Sequence, residues 1–240
     1  MTGPRIALIH ALEESVAPAR AAFGDVWPGA YCFDLLDTSL AADRAQAGRL
    51  DEAMTRRFRA LAGYAEATSG CGGSTAAILF TCSAFGPAID AARLTTPIPV
   101  LRPNEAAFAE ALELGSRVLL AVTFGPSQDA LKDELQAMAR AAGKSIEVET
   151  VLIDGALAAL QAGDGERHDA LAAECVGRRA AGADVIILGQ FSLARARPLV
   201  EARVGPIQVI TTPHSAARAI RRLVGEAGSP RRTQGPAGGA

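Results

Sequence analysis

The chain has 240 residues, 49% of them hydrophobic but only 5% aromatic, with 24 Lys and Arg balanced against 26 Asp and Glu. That length builds one large domain or two lobes of about 100–120 residues each. The balanced charge, with no Lys/Arg stripe, excludes an electrostatic grip on nucleic acid, and no apolar run reaches the ~18–20 residues of a membrane span.

From the N-terminus, short aliphatic runs alternate with longer stretches rich in Ala, Leu and Arg. Ile6–His10, Tyr31–Leu35, Ala77–Thr81, Val100–Leu101, Val118–Val122, Ile146–Leu152, Val185–Gly189 and Ile207–Thr211 read as strands. Leu50–Thr68 reads as a helix, with Leu50, Met54, Phe58 and Leu61 at helical spacing. Ser127–Ala142 reads as another, with Leu131, Leu135 and Met138 on one face and Ser127 as its N-cap after Gly125-Pro126. Gly70-Cys-Gly-Gly-Ser74 precedes a strand and lacks the Lys of a phosphate loop, so it reads as a flexible connector. His168 reads as part of a solvated loop or helix start. Uniformly apolar strands, each followed by a helix, make a mostly parallel sheet covered on both faces, an α/β fold.

The two halves also resemble each other. Thr75-Ala-Ala-Ile-Leu-Phe-Thr-Cys82 matches Ala183-Asp-Val-Ile-Ile-Leu-Gly-Gln190 at an offset of 108; Pro97-Ile-Pro-Val100 matches Pro206-Ile-Gln-Val209 at 109; Arg5-Ile-Ala-Leu8 matches Arg117-Val-Leu-Leu120 at 112. Three matches in one order at nearly one spacing predict two pseudosymmetric lobes with a cleft between them. The expected division is residues 1–100 with a C-terminal helix over 212–224, then 101–211, with a disordered tail over 225–240. Ligands of open α/β sheets sit at the carboxyl ends of the strands, which puts the site in the interlobe cleft.

The four cysteines, Cys32, Cys71, Cys82 and Cys175, and the three histidines, His10, His168 and His214, are dispersed. Zinc spacing is absent, a disulfide scaffold is not expected at this size, and the reading is a cytoplasmic protein with no metal or cofactor. Ile6 to Ile9 is too short for a signal-peptide core. Cys82 stands out, because a buried strand ends before it and Gly86-Pro87 opens a helix after it. Free backbone N–H groups and the positive end of a helix would lower its pKa and hold a carboxylate, with Ser83 adding a hydroxyl. The alternative is a small buried filler, as most free cysteines are.

Ile78-Leu-Phe-Thr-Cys-Ser-Ala-Phe-Gly-Pro-Ala-Ile-Asp90 resembles the first cysteine motif of the Asp/Glu/hydantoin racemase superfamily. Asp184-Val-Ile-Ile-Leu-Gly-Gln-Phe-Ser-Leu-Ala194 falls at the second motif, Thr123-Phe-Gly-Pro-Ser127 resembles the central strand–Thr loop, and Thr211-Thr-Pro-His-Ser215 the last strand-to-helix turn. The resemblance implies a pseudosymmetric, cofactor-independent racemase or epimerase, in which two cysteines face each other across a small acid. It makes Cys82 an acid/base at the carbon alpha to a carboxylate.

At the second cysteine position stands Gln190, whose amide cannot exchange a proton at a useful pKa. A single-thiol lyase, decarboxylase or isomerase acting on a small carboxylate or dicarboxylate is therefore the alternative, with a catalytically silent small-acid binder as a third reading. Arylmalonate decarboxylase is a relative of the one-thiol type, but it keeps the thiol of the other lobe. Gln190 would stabilise an enediolate or bind a second carboxylate, or simply cap the strand end. His10, Ser83, Thr123, Ser127, Phe191, Ser192 and His214 are the substrate-binding candidates, each with a structural alternative. His10 and His214 could supply the missing second acid/base. Phe85, Phe124 and Phe191 lie on presumed cleft loops and could take an apolar group or pack into core. Substrate identity and the presence of a homo-oligomer stay open.

Overall fold

A computed structural model describes residues 3–227. The first half runs β1 (Arg5–His10), α1 (Val16–Val26), β2 (Tyr31–Leu36), α2 (Ser39–Ala47), α3 (Glu52–Ala67), β3 (Ser69–Gly70), β4 (Gly73–Phe80), α4 (Gly86–Arg93) and β5 (Val100–Leu101). The second runs α5 (Glu105–Leu114), β6 (Arg117–Val122), α6 (Gln128–Ala141), β7 (Glu147–Leu152), α7 (Ala156–Gln161), α8 (Gly165–Arg179), β8 (Val185–Leu188), α9 (Arg197–Val204), β9 (Gln208–Thr211) and α10 (Thr212–Ala227). Every predicted strand and both predicted helices are present to within a few residues.

The strands form two sheets. One has the order β2-β1-β4, with β5 on the far side of β4, and the other the order β7-β6-β8-β9. All these pairings are parallel. The fold is α/β with two lobes, and the lobes match in register as well as in strand order. Ile6 pairs with Ala77 in the first sheet and Val118 with Val185 in the second; Ile78 pairs with Val100, and Ile186 with Val209. These are the same residues that the sequence offsets relate. The duplication read from sequence is thus a duplication of hydrogen-bonded ladder.

Alternation along each strand explains why the sheets are apolar throughout. In the first sheet Ala7, Ile9, Ile78 and Phe80 face one core with α3 and α4, while Ile6, Leu8, Ala77 and Leu79 face another. The second sheet divides in the same way, with Val118, Leu120 and Ile187 on one side and Leu119, Ala121 and Ile186 on the other. Two helices cross between lobes. α5 leaves β5 and buries Ala107, Phe108 and Ala111 on the second sheet. α10 leaves β9 and buries Ala216, Ala217 and Ile220 on the first. They pack against each other, and Glu110 of α5 accepts from Ser215 Oγ at 2.7 Å and from Arg218 of α10.

Several local expectations are corrected. Gly70–Ser74 is no loose connector but the turn of an antiparallel hairpin, pairing Ser69 with Ser74 and Gly70 with Gly73. Its Gly72 and Gly73 adopt φ of 84° and 85°, a left-handed region that favours glycine. His168 is fully buried on α8 in line with Ala172 and Val176, one face at successive four-residue steps. Residues 225–227, expected in the tail, close α10, and the rest of that tail lies outside the described residues. Among the described residues no helix is long and apolar enough to cross a membrane.

Phe191, from the turn after β8, is buried with Ile6, Leu8, Ala19 and Phe23 of the first lobe. It is core that joins the lobes. Phe191→Ala should therefore cost about 3–5 kcal/mol of stability in urea denaturation. A loss under about 1 kcal/mol would show that the lobes do not depend on this side chain.

Candidate active site

The sheets deliver their strand ends by matching hydrogen bonds. The Thr81 N–H donates to Ile9 O at 3.0 Å, and the Gly189 N–H donates to Ala121 O at 2.8 Å. Each bond extends a central ladder by one residue, so Cys82 and Gln190 leave their sheets at equivalent positions. Both backbones are extended there, with φ/ψ of −116°/122° and −136°/149°, and both open a short 3-10 turn.

On the first lobe Cys82 packs against the core of α3, α4 and the sheet. With His10, Leu40, Phe58 and Phe80 it lines a crevice too tight to admit a water molecule. Burial pushes the thiol up from its ordinary value, and the Ala84 N–H that it accepts offsets only part of this. The direction is opposite to the lowering expected of a helix N-terminus, because desolvation outweighs this one hydrogen bond and favours the neutral thiol. Ser83 is half-buried in the turn that follows.

His10 is wholly buried. Its Nδ1 lies 2.9 Å from both Ser15 Oγ and Thr81 Oγ1, and its Nε2 lies 3.1 Å from Asp34 Oδ1. Arg20 Nε donates to the other oxygen of Asp34 at 2.7 Å. Burial lowers the His10 pKa, against the pull of Asp34, so the ring is held neutral with Asp34 accepting from Nε2. Ser15, Thr81 and Asp34 were missed in sequence. Asp34 alone left a trace there, as a carboxylate inside an otherwise apolar strand.

On the second lobe the site is an amide lock. Gln190 Oε1 accepts from the Thr123 N–H at 2.7 Å and from Thr123 Oγ1 at 2.6 Å. Its Nε2 donates to Ser127 Oγ at 3.3 Å, while that hydroxyl donates to Phe124 O at 2.8 Å. Gln190, Thr123 and Ser127 are thus brought together as one cluster. Ser127 stands at the N-cap position of α6 as expected, but its hydroxyl makes no capping bond and instead donates to Phe124 O and accepts from Gln190.

The other candidates are scattered. His214, in the first turn of α10, lies 2.7 Å from Thr211 Oγ1 and 3.2 Å from Asp25 Oδ2, which ties it to α1. Ser192 is half-buried in the turn after Gln190. Phe85 is fully buried with its ring centroid 4.8 Å from that of Phe58 and belongs to the core. Phe124 is 47% exposed; Leu12 and Leu36 are likewise exposed, each at or just past its own strand end. Cys32 is pushed up to about 12 by burial, and Cys175 is held up by burial in α8; Cys71 is exposed on the hairpin. Among the described residues no cluster of His, Cys, Asp or Glu could hold a metal ion.

A family model described as Asp/Glu/Hydantoin racemase matches residues 10–220. Among solved structures, the chain is similar to an allantoin racemase from Klebsiella pneumoniae, at 17% identity over 94% of this chain and 89% of that one, with a TM-score of 0.66. It is also similar to a glutamate racemase from Bacillus anthracis, at 10% identity over 95% and 84%, with a TM-score of 0.67. An arylmalonate decarboxylase shares 20% identity over 94% of each chain, with a TM-score of 0.57. At such identities the likeness is one of fold. No curated protein matches the chain.

The amide lock is directly testable. Thr123→Val removes one short hydrogen bond to Gln190 Oε1 without changing side-chain shape, and should cost about 1 kcal/mol in chemical denaturation. An unchanged midpoint would mean that Gln190 is not held by this hydroxyl.

Proposed function

The chain belongs to the Asp/Glu/hydantoin racemase family, an enzyme family, and we propose that it is a single-thiol enzyme delivering a proton to the carbon alpha to a carboxylate. Cys82 is the acid, and Gln190 is the fixed, proton-inert group of the opposite lobe. The observation that carries this reading is a half-buried thiol, its ionisation disfavoured by burial, on one strand end and a hydrogen-bonded amide on its equivalent.

A two-base racemase needs a second group that exchanges protons on the other face of the carbon. Gln190 cannot, because an amide neither gains nor loses a proton near neutral pH. His214 is engaged with Thr211 and Asp25, and His10 belongs to the same lobe as Cys82 and is buried neutral. One thiol suits a reaction with one proton delivery. In a decarboxylation, the bond from the alpha carbon to one carboxylate breaks, carbon dioxide leaves, and the electron pair remains as an enediolate conjugated with the surviving carboxylate. Cys82 then gives its S–H proton to that carbon and is itself reprotonated from solvent. The reaction needs no cofactor, because the surviving carboxyl group accepts the charge. The Gln190 amide has one N–H beyond its bond to Ser127 with which to meet a developing oxyanion.

The raised pKa of Cys82 supports this order of events. A thiol that stays protonated at neutral pH is a competent acid and a poor resting base. The family's plain inference, racemisation, would instead ask the same group to be ionised half the time.

Cys82→Ser should lower kcat on an active substituted malonate by about 10²–10⁴-fold while leaving KM within a small factor. The wild-type rate should persist into alkali and fall only above the ordinary range of a free thiol. An alkaline limb near neutrality would indicate a thiolate base instead. Binding of a small acid with no deuterium incorporation from heavy water, in wild type and variant alike, would make the protein a binder and not an enzyme.

A further inference from the structure

The two crossing helices leave an open groove of about 1020 Å³ that runs over α5, α10 and the segment 96–101, which carries β5. None of the residues that surround Cys82 or Gln190 lines it. On α10 the groove residues Arg218, Ala219, Arg222, Leu223 and Glu226 recur at helical spacing, turned away from the inner face of Ala216, Ala217 and Ile220. α5 adds Ala106, Ala109 and Leu114, and the small alanines leave room between the longer side chains.

Most charges in the groove are satisfied within the chain. Glu105 accepts from Arg93 Nη2 at 2.7 and 2.8 Å, and Glu110 accepts from Arg218 Nη2 at 2.7 and 3.0 Å. Glu113 accepts from Lys144 Nζ at 2.6 Å. Arg222 and Glu226 have no ion-pair partner among the described residues, and they stand one turn apart on α10 with opposite signs. Such a pair does not call for an anion or a cation. It calls for a surface that presents the same two charges in the reverse order, as an antiparallel copy of the same helix does.

The apolar side chains point the same way. Leu94 is 87% exposed, more than any other large apolar side chain among the described residues. In the chain it stands between the groove residues Arg93 and Thr96 without lining the groove, so it projects from the rim. Leu114 and Leu223, which do line the groove, are exposed as well. One face thus carries a projecting leucine, an apolar recess and a reversible charge pair, which is what a self-complementary contact about a two-fold axis requires. Exposed apolar groups gathered in one place mark an interaction surface.

We infer that two copies of this chain associate by this face. α10 lies antiparallel to the same helix of the second copy, with Arg222 of each facing Glu226 of the other, and Leu94 of each is covered by the other's groove. Burial of the leucines drives the association, and the two reciprocal charge pairs set its register. The contact involves neither Cys82 nor Gln190, so it stands independently of the proposed reaction.

Sedimentation equilibrium of the full chain at tens of micromolar should give twice the chain mass. Leu94→Glu and Arg222→Glu should each raise the dissociation constant about tenfold or more, the first by placing a charge in the apolar contact and the second by facing Glu226 with a like charge. Both positions are exposed, so the far-UV circular dichroism and thermal midpoint of the separated chain should stay those of a folded protein. Arg222→Glu combined with Glu226→Arg restores opposite charges across the axis and should regain the wild-type dissociation constant. A wild-type chain that stays monomeric, or a dimer indifferent to both single variants, would overturn the inference. A double variant no tighter than Arg222→Glu alone would overturn the antiparallel register of α10.

Discussion

Two backbone hydrogen bonds govern the rest of this molecule: Thr81 N–H to Ile9 O, and Gly189 N–H to Ala121 O. They close the central ladders of the two sheets one residue past the assigned strands, and they fix where the chain stops being sheet. A parallel ladder admits no slip without turning every buried side chain to the wrong face, and both faces of these sheets are core. The positions of Cys82 and Gln190 are therefore set by apolar packing many residues away. Chemistry at the strand ends can change, as it has between these lobes, while the scaffold that aims it stays fixed.

On that common frame the two sides solve different problems. Gln190 brings a polar amide to a half-buried position, and leaving it unmet would cost on the order of 1–3 kcal/mol. Thr123 and Ser127 meet it within their own lobe, which also immobilises it. Cys82 brings a small, weakly polar thiol that needs no such network, and the core of Phe58 and Phe80 surrounds it. Desolvation then acts on its charge, since the thiolate loses more by burial than the thiol does. One side is an amide held by hydrogen bonds, and the other is a half-buried thiol packed on an apolar core. The chain from buried His10 through Asp34 to exposed Arg20 completes the asymmetry by keeping a neutral imidazole beside the strand end.

Much of the fold was legible because it rests on local pattern. Uninterrupted apolar runs marked strands with two buried faces, and Leu131 and Leu135 marked the inner face of α6. The offsets of 108, 109 and 112 were visible because the duplicated positions are ladder partners under the same packing constraint. The hairpin at Gly70–Gly73 was not legible, because three glycines encode permissiveness and only the pairing of Ser69 with Ser74 shows how it is used. His168 could have been read as buried from its four-residue spacing to Ala172 and Val176, a pattern masked by the charged residues beside it. Cys82 and Gln190 could be singled out by position. Their surroundings could not, since Ser15, Asp34 and Thr81 approach His10 only once three strands are assembled.

The crossing helices make the two lobes one packed body. α5 begins on the first lobe and covers the second, and α10 does the reverse. Glu110 and Arg218 tie the two helices together. Any change in the spacing of Cys82 and Gln190 must therefore move α5 against α10, or shift Phe191 in the core of the first lobe.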